Sequence, residues 1–116
     1  MDELIKHTYI KPNMTEKWLL SNNFRNNRLL SDEESDVYTY RFPVYKYKKF
    51  TTLEGELCVV LGEYEVKINV YEHGTTSDKY APFYYCKYGN YDSILKIIWK
   101  NINKQLKILN ITEKED

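Results

Sequence analysis

Residues 53–73, LEGELCVVLGEYEVKINVYEH, decide the fold because they predict two antiparallel strands around a turn at Gly62-Glu63. Gly62 can take the positive φ that a two-residue hairpin turn needs at its first central position. The alternate pairs carry most of the charges, so a slip of one residue would place charges in the core. With this turn, the facing pairs on one side are all apolar or glycine: Leu61–Tyr64, Val59–Val66, Leu57–Ile68 and Gly55–Val70.

The preceding stretch predicts a third strand, residues 37–47, joined to strand 50–61 by a turn at Lys48-Lys49. Phe42 would cover the space beside Gly55, and Arg41 would face Glu56 as a cross-strand pair of opposite charge. Pro43 cannot donate to a ladder, so we expect a bulge or kink there. The other facing pairs are Tyr38–Val59, Tyr40–Leu57 and Val44–Leu53. The three strands agree on one buried face: Tyr38, Tyr40, Phe42, Val44, Leu53, Leu57, Val59, Leu61, Tyr64, Val66, Ile68 and Val70.

Helices are predicted on both sides of this meander. Thr15 is a helix N-cap for residues 16–22. After a turn at residues 89–92, with Asn90 or Asp92 as cap, a helix of about 17 residues should pack its apolar stripe on the buried face. Residues 24–30 alternate weakly, as an edge strand would, and Pro82 should start a strand over 83–88 whose register is undetermined. The apolar stripe of the second helix consists of Leu95, Ile98, Trp99, Ile102, Leu106 and Leu109.

The length of 116 residues is typical of one domain. We expect an α+β fold: a mainly antiparallel four- or five-stranded meander sheet, a C-terminal helix packed on one face, and a short N-terminal helix. Residues 1–14 and 111–116 are expected to fray. The formal net charge of +0 gives no overall preference for nucleic acid or an anionic membrane.

The sequence predicts a cytoplasmic protein without a membrane span. No stretch approaches the roughly 20 apolar residues that a span needs. The acidic start, Met1-Asp2-Glu3, does not resemble a signal peptide. The two cysteines, Cys58 and Cys86, lie in predicted strands and are expected to be reduced.

No catalytic motif is present: the sequence lacks a glycine-rich phosphate loop, CxxC, HExxH and GxSxG. His73 with Glu72 and Asp78 would make a poor metal site, and a loop histidine without a role is the simpler interpretation. Cys86 and His73 could act as nucleophile and base only if the fold brought them together with an orienting group. We therefore expect no enzymatic activity, no metal and no cofactor.

The outer sheet face is the first candidate for binding. Tyrosine and arginine are enriched where proteins bind proteins, although tyrosine also suits any half-buried strand surface. Glu54 and Glu56 at the centre would repel phosphate, which favours a protein partner, and an uncovered face would also suit a homodimer. The acidic loop is either a solvated turn or a site for a basic partner. The candidate partner-binding residues are Arg41, Tyr45, Tyr47, Phe50 and Tyr71, with Asp32, Glu33 and Glu34 of the acidic loop.

The alternative function is binding of single-stranded nucleic acid. Lysines on the second helix could follow a phosphate backbone while surface tyrosines stack on bases. The simpler interpretation of the same lysines is the solvated side of an amphipathic helix. The candidate residues are Lys87, Lys96, Lys100 and Lys104, followed by Lys107.

Residues 37–57, VYTYRFPVYKYKKFTTLEGEL, together with residues 81–92, APFYYCKYGNYD, resemble small uncharacterised proteins encoded by phages and mobile elements of low-GC bacteria. The resemblance spans most of the chain and carries no site motif. It implies an accessory protein that binds and blocks a host protein, including antiviral nucleases such as CRISPR effectors.

Overall fold

A computed structural model describes residues 9–75, 78–85 and 93–113, and it confirms the α+β fold. The described strands form one antiparallel sheet of six, in the order β2-β3-β4-β5-β1-β6. Three of these strands have only two residues each, so β3, β4 and β5 are the frame of the fold. The elements are β1 (Tyr9–Ile10), α1 (Glu16–Ser21), β2 (Arg25–Asn26), β3 (Val37–Tyr47), β4 (Phe50–Val60), β5 (Glu65–Glu72), α2 (Ala81–Tyr85), α3 (Ser93–Ile108) and β6 (Thr112–Glu113).

The register of β4 on β5 is the predicted one. Leu57 faces Ile68, Gly55 faces Val70, and Gly62 takes a φ of +95° in the turn. The prediction fails only for Tyr64, whose side chain is 59% exposed. Tyr64 lies one residue before β5 and is not part of its pairing with β4. Its carbonyl accepts a hydrogen bond from the Lys11 backbone N–H.

The pairing of β3 with β4 contains the expected irregularity. Phe42 faces Gly55 as predicted, but the register shifts after Pro43, so Tyr45 rather than Val44 faces Leu53. A second shift between Tyr45 and Lys46 restores the register before the turn, and Val44 is still fully buried. Among the described residues β2 pairs only with Tyr38 and Thr39, so the rest of the outer edge of β3 has no strand beside it.

Helix α3 covers the buried face as predicted and runs antiparallel to β3. The Asn101 side chain donates to the Val44 carbonyl at 2.8 Å, and the Tyr40 hydroxyl donates to Gln105 Oε1 at 3.3 Å. The amino end of α3 therefore lies at the β3–β4 turn. The residues proposed as its cap, Asn90 and Asp92, lie outside the described residues. Its buried residues are Leu95, Ile98, Ile102 and Leu106.

Helix α1 begins as predicted, with Thr15 Oγ1 accepting a hydrogen bond from the Trp18 backbone N–H at 3.1 Å. The strand considered for residues 24–30 is reduced to the two residues of β2, and turns follow it. Phe24 is fully buried, and its ring centroid lies 5.9 Å from that of Trp18 and 5.5 Å from that of Tyr40. The aromatic ring thus joins α1 to the sheet.

The strand predicted from Pro82 is wrong where the structure describes it, because residues 81–85 form helix α2. Proline fits the first turn of a helix, where its missing N–H costs nothing. Phe83 stacks on Trp99 of α3 with ring centroids 5.2 Å apart. Residues 86–88 lie outside the described residues, and β1 and a bridge from Lys79 to Tyr71 lie beside β5 instead.

The first and last strands of the described residues, β1 and β6, pair at one edge of the sheet. Tyr9–Ile10 and Thr112–Glu113, from the segments expected to fray, pair with each other. Ile111 is buried beside them. No helix in the described ranges combines the length and the apolarity that crossing a bilayer would require.

Candidate interaction surface

The last residues of β3 and the first of β4 form a two-stranded ribbon that continues past their pairing with β5. Tyr47 pairs with Phe50, whereas Leu53 is the β4 residue nearest the turn that pairs with β5. The two residues between the strands are the turn Lys48-Lys49, as predicted, and Lys48 has a φ of +57°. We call Tyr47, Lys48, Lys49 and Phe50 the ribbon tip.

The ribbon tip presents two aromatic side chains to solvent. Phe50 is 77% exposed and Tyr47 is 62% exposed. The Lys48 ammonium lies 5.6 Å from the centre of the Tyr47 ring. Burial of these two rings against a partner would release water from apolar area, which makes the ribbon tip a candidate binding surface.

Two of the candidate tyrosines do not belong to this surface. Tyr45 is half-buried and packs against the core, because the bulge after Pro43 changes its facing. Tyr71 is 8% exposed and lies beneath the Arg41 guanidinium, whose carbon is 4.3 Å from the ring centroid. Of the tyrosines and Phe50 named from sequence, the structure leaves Tyr47 and Phe50 open to a partner.

Arg41 is occupied by contacts within the chain. Its Nη1 lies 3.4 Å from Glu54 Oε1, and its Nε lies 3.5 Å from Glu56 Oε2. The same Nη1 donates to the Thr75 carbonyl, which ties the loop after β5 to the sheet. These contacts hold Arg41 in place on the outer face, and its role in binding a partner stays a prediction.

A partly buried polar network continues from Glu56, which is itself 5% exposed. Asn69 Nδ2 donates to Glu56 Oε1 at 3.4 Å, and the Tyr84 hydroxyl donates to Asn69 Oδ1 at 3.0 Å. The Tyr84 hydroxyl also accepts the Val70 backbone N–H at 3.0 Å. Burial raises the pKa of Tyr84 to about 12. Sequence reasoning missed this network, because it depends on residues 81–85 being a helix.

The acidic loop lies at the other end of the sheet. Its residues precede β3, whose eleven residues separate the loop from the ribbon tip by about 33 Å. Asp32 Oδ1 accepts the backbone N–H groups of Glu34 and Ser35, each at 2.8 Å, so the loop organises its own turn. Asp32, Glu33 and Glu34 therefore cannot form one continuous surface with Tyr47 and Phe50.

The lysines of α3 are all exposed, as the amphipathic pattern predicted: Lys96, Lys100, Lys104 and Lys107. The helix contains no aspartate or glutamate. Because the amino end of α3 lies at the β3–β4 turn, Lys96 and Lys100 are the two nearest to the ribbon tip. Lys87 lies outside the described residues.

The histidine and cysteine considered for chemistry can be placed only in part. His73 Nδ1 lies 3.4 Å from Glu54 Oε2, and no three histidine, cysteine, aspartate or glutamate side chains in the described part of the chain cluster as metal ligands. Burial, followed by the charge of Glu56, raises the pKa of the Cys58 thiol, which keeps it protonated and a poor nucleophile. Cys86, considered from sequence, lies outside the described residues.

Comparison with known proteins gives the chain no relative from which a site could be transferred. No family model, no curated protein and no solved structure matches it.

Proposed function

We propose that the protein is a non-enzymatic interaction module that binds a protein partner through the ribbon tip. The observation that supports this proposal is the exposure of Tyr47 and Phe50 at the end of a paired ribbon. Aromatic residues supply a large share of the binding energy at protein interfaces, because each buries much apolar area with few rotatable bonds.

The ribbon is held in place before any partner arrives. Its base is fixed by the buried Val44 side chain, by the hydrogen bond from Asn101 to the Val44 carbonyl, and by the Arg41 contacts to Glu54 and Glu56. A preorganised ribbon loses less conformational entropy on binding than a flexible loop. Two rings at the end of a narrow ribbon suit a partner with a concave surface.

A finer proposal follows from the resemblance to proteins of phages and mobile elements. In that case the partner is a host protein in the cytoplasm, including an antiviral nuclease, and the ribbon tip blocks it by filling a cleft. Self-association through the outer face is a weaker candidate, because the centre of that face holds the paired charges of Arg41, Glu54 and Glu56 rather than apolar side chains.

The test is affinity capture with a matched control. Tagged wild-type protein, Tyr47→Ala with Phe50→Ala, and the control Leu29→Ala with Tyr64→Ala are incubated with lysate of a low-GC bacterium, and recovered proteins are quantified by mass spectrometry. The control removes equally exposed apolar side chains at other places. We expect a stoichiometric protein partner whose recovery falls at least tenfold only with the ribbon-tip variant. Equal recovery by all three proteins would contradict the proposal.

A further inference from the structure

The net charge of zero hides a separation of charge along the sheet. The loop before β3 and the β4–β5 turn lie at the same end, since the Leu61 backbone N–H donates to the Asp36 carbonyl at 2.8 Å. Carboxylates dominate that end, whereas the β3–β4 turn end carries lysines. The acidic end holds Asp32, Glu33, Glu34, Asp36, Glu63 and Glu65. We call the opposite set the basic end: Lys46, Lys48, Lys49, Lys96 and Lys100.

The lysines of the basic end come from two elements that meet at one place. Asn101 of α3 hydrogen-bonds the Val44 carbonyl. Lys100 is the next residue to Asn101, and Lys46 lies two residues past Val44, about 7 Å along the strand. The helix and ribbon lysines therefore lie at the same end of the sheet, and Phe50 and Tyr47 lie at the tip of the ribbon.

These lysines are free to meet an anion. All five are exposed, and within the described ranges none of them forms an ion pair. The nearest carboxylate along β4, Glu54, is already held by Arg41 and His73. The exposed carboxylate of Glu72 would repel an anion on the β5 side, so an anion would lie nearer to β3 and α3.

We infer that the basic end binds single-stranded nucleic acid, with bases stacked on Phe50 and Tyr47 and phosphates near the lysines. Unpaired bases stack on exposed aromatic rings while lysines follow the backbone, which is the combination present here. Glu54 and Glu56 were the reason to expect repulsion of phosphate, but both are paired with Arg41 and neither lies in the ribbon tip. The bases would use the same two rings as the protein partner proposed above, so the two ligands would compete for the ribbon tip.

The test measures fluorescence anisotropy of a fluorescein-labelled 20-nucleotide oligo(dT) at 50 and 200 mM NaCl. If five lysines neutralise phosphates, the slope of log affinity against log salt is about −3.5, or a loss of about a hundredfold between the two concentrations. Lys48→Glu with Lys49→Glu, and Lys96→Glu with Lys100→Glu, should each weaken binding at least tenfold and flatten the slope. Phe50→Ala should weaken binding about tenfold with the slope unchanged.

The control for charge alone is Lys17→Glu with Lys67→Glu, which reverses two exposed lysines outside the basic end. Binding within twofold of wild type in this control supports the inference, and a loss as large as in the other two pairs refutes it. Absence of binding by wild type at 50 mM NaCl also refutes it. If instead capture of a protein partner depends on the basic-end lysines, the surface serves an acidic protein and the nucleic-acid inference fails. Because both proposals use Tyr47 and Phe50, the ribbon-tip capture is run on nuclease-treated lysate, so that recovery of a protein partner does not depend on bound nucleic acid.

Discussion

Replacing Gly55 by alanine tests the packing beneath the ribbon. A Cβ at this position would lie 2.8 Å from Val44 Cγ1 and 3.0 Å from two carbons of the Phe42 ring. Contacts this short force a neighbour to move. Val44 is fully buried and stiff at χ1, and Phe42 is 4% exposed, so neither side chain has free space.

We expect Gly55→Ala to lower the free energy of unfolding by about 2 kcal/mol, within the range of 1–3 kcal/mol typical of overpacking. For a chain of this length the melting temperature should fall by roughly 6–10 °C. Gly62→Ala is the contrasting variant. Its Cβ would meet nothing within 4 Å, so the cost comes from the φ of +95° alone and should be about 1 kcal/mol.

The assay is urea denaturation followed by circular dichroism, with a double-mutant cycle. Val44→Ala removes the atom that the new methyl would strike, so Gly55→Ala should cost about 1 kcal/mol less in that background than in wild type. Gly62→Ala should cost the same in both backgrounds. An unchanged cost of Gly55→Ala in the Val44→Ala background, or a wild-type stability of Gly55→Ala itself, would refute the reasoning.

Two further predictions concern the polar network. Arg41→Ala should lower the free energy of unfolding by about 2 kcal/mol, more than an exposed ion pair contributes, because it leaves the buried Glu56 carboxylate without its cation. In urea denaturation, the double variant Arg41→Ala with Glu56→Gln should recover most of this loss. The control Lys67→Ala should lower the free energy of unfolding by less than about 0.5 kcal/mol. A raised pKa of Tyr84, about 12 against 10.0, means that the folded state holds a proton that the unfolded state releases. Stability from Tyr84 is therefore complete below pH 10 and lost as pH rises towards 12. Denaturation from pH 9 to 11.5 should show a weaker decline for Tyr84→Phe than for wild type, and parallel declines would contradict the assignment.

The central sheet was predictable because its two faces constrain the register together. Apolar pairs such as Leu57–Ile68 and charged pairs such as Arg41–Glu56 both exclude a shift of one residue. The strand expected after Pro82 was wrong, since a short apolar run suits a helix equally well. What decided it was tertiary packing: Phe83 stacks on Trp99, and the Tyr84 hydroxyl reaches β5.

The candidate surface was predictable only in part. Alternation placed Arg41 and Tyr71 on the outer face, but it could not show that the arginine would cover the tyrosine and reach the Thr75 carbonyl. The prediction for Tyr45 was wrong because a bulge at Pro43 was expected but its effect on the following residues was not. The register shift places Tyr45 opposite Leu53 and packs it against the core. Tyr47 and Phe50 were assigned correctly to an exposed position, since a turn at Lys48-Lys49 leaves its flanking residues little to pack against.

The irregular stretch of β3 also makes the open edge of this strand a poor template for pairing with a second molecule. A strand of a second molecule that approached the open edge of β3 would find no N–H at Pro43. The two register shifts between Pro43 and Lys46 would then interrupt the regular spacing of donors and acceptors that a second strand needs. The protein can thus expose two aromatic rings on a long ribbon, while Pro43 and the irregular register after it disfavour edge-to-edge assembly of copies into fibres.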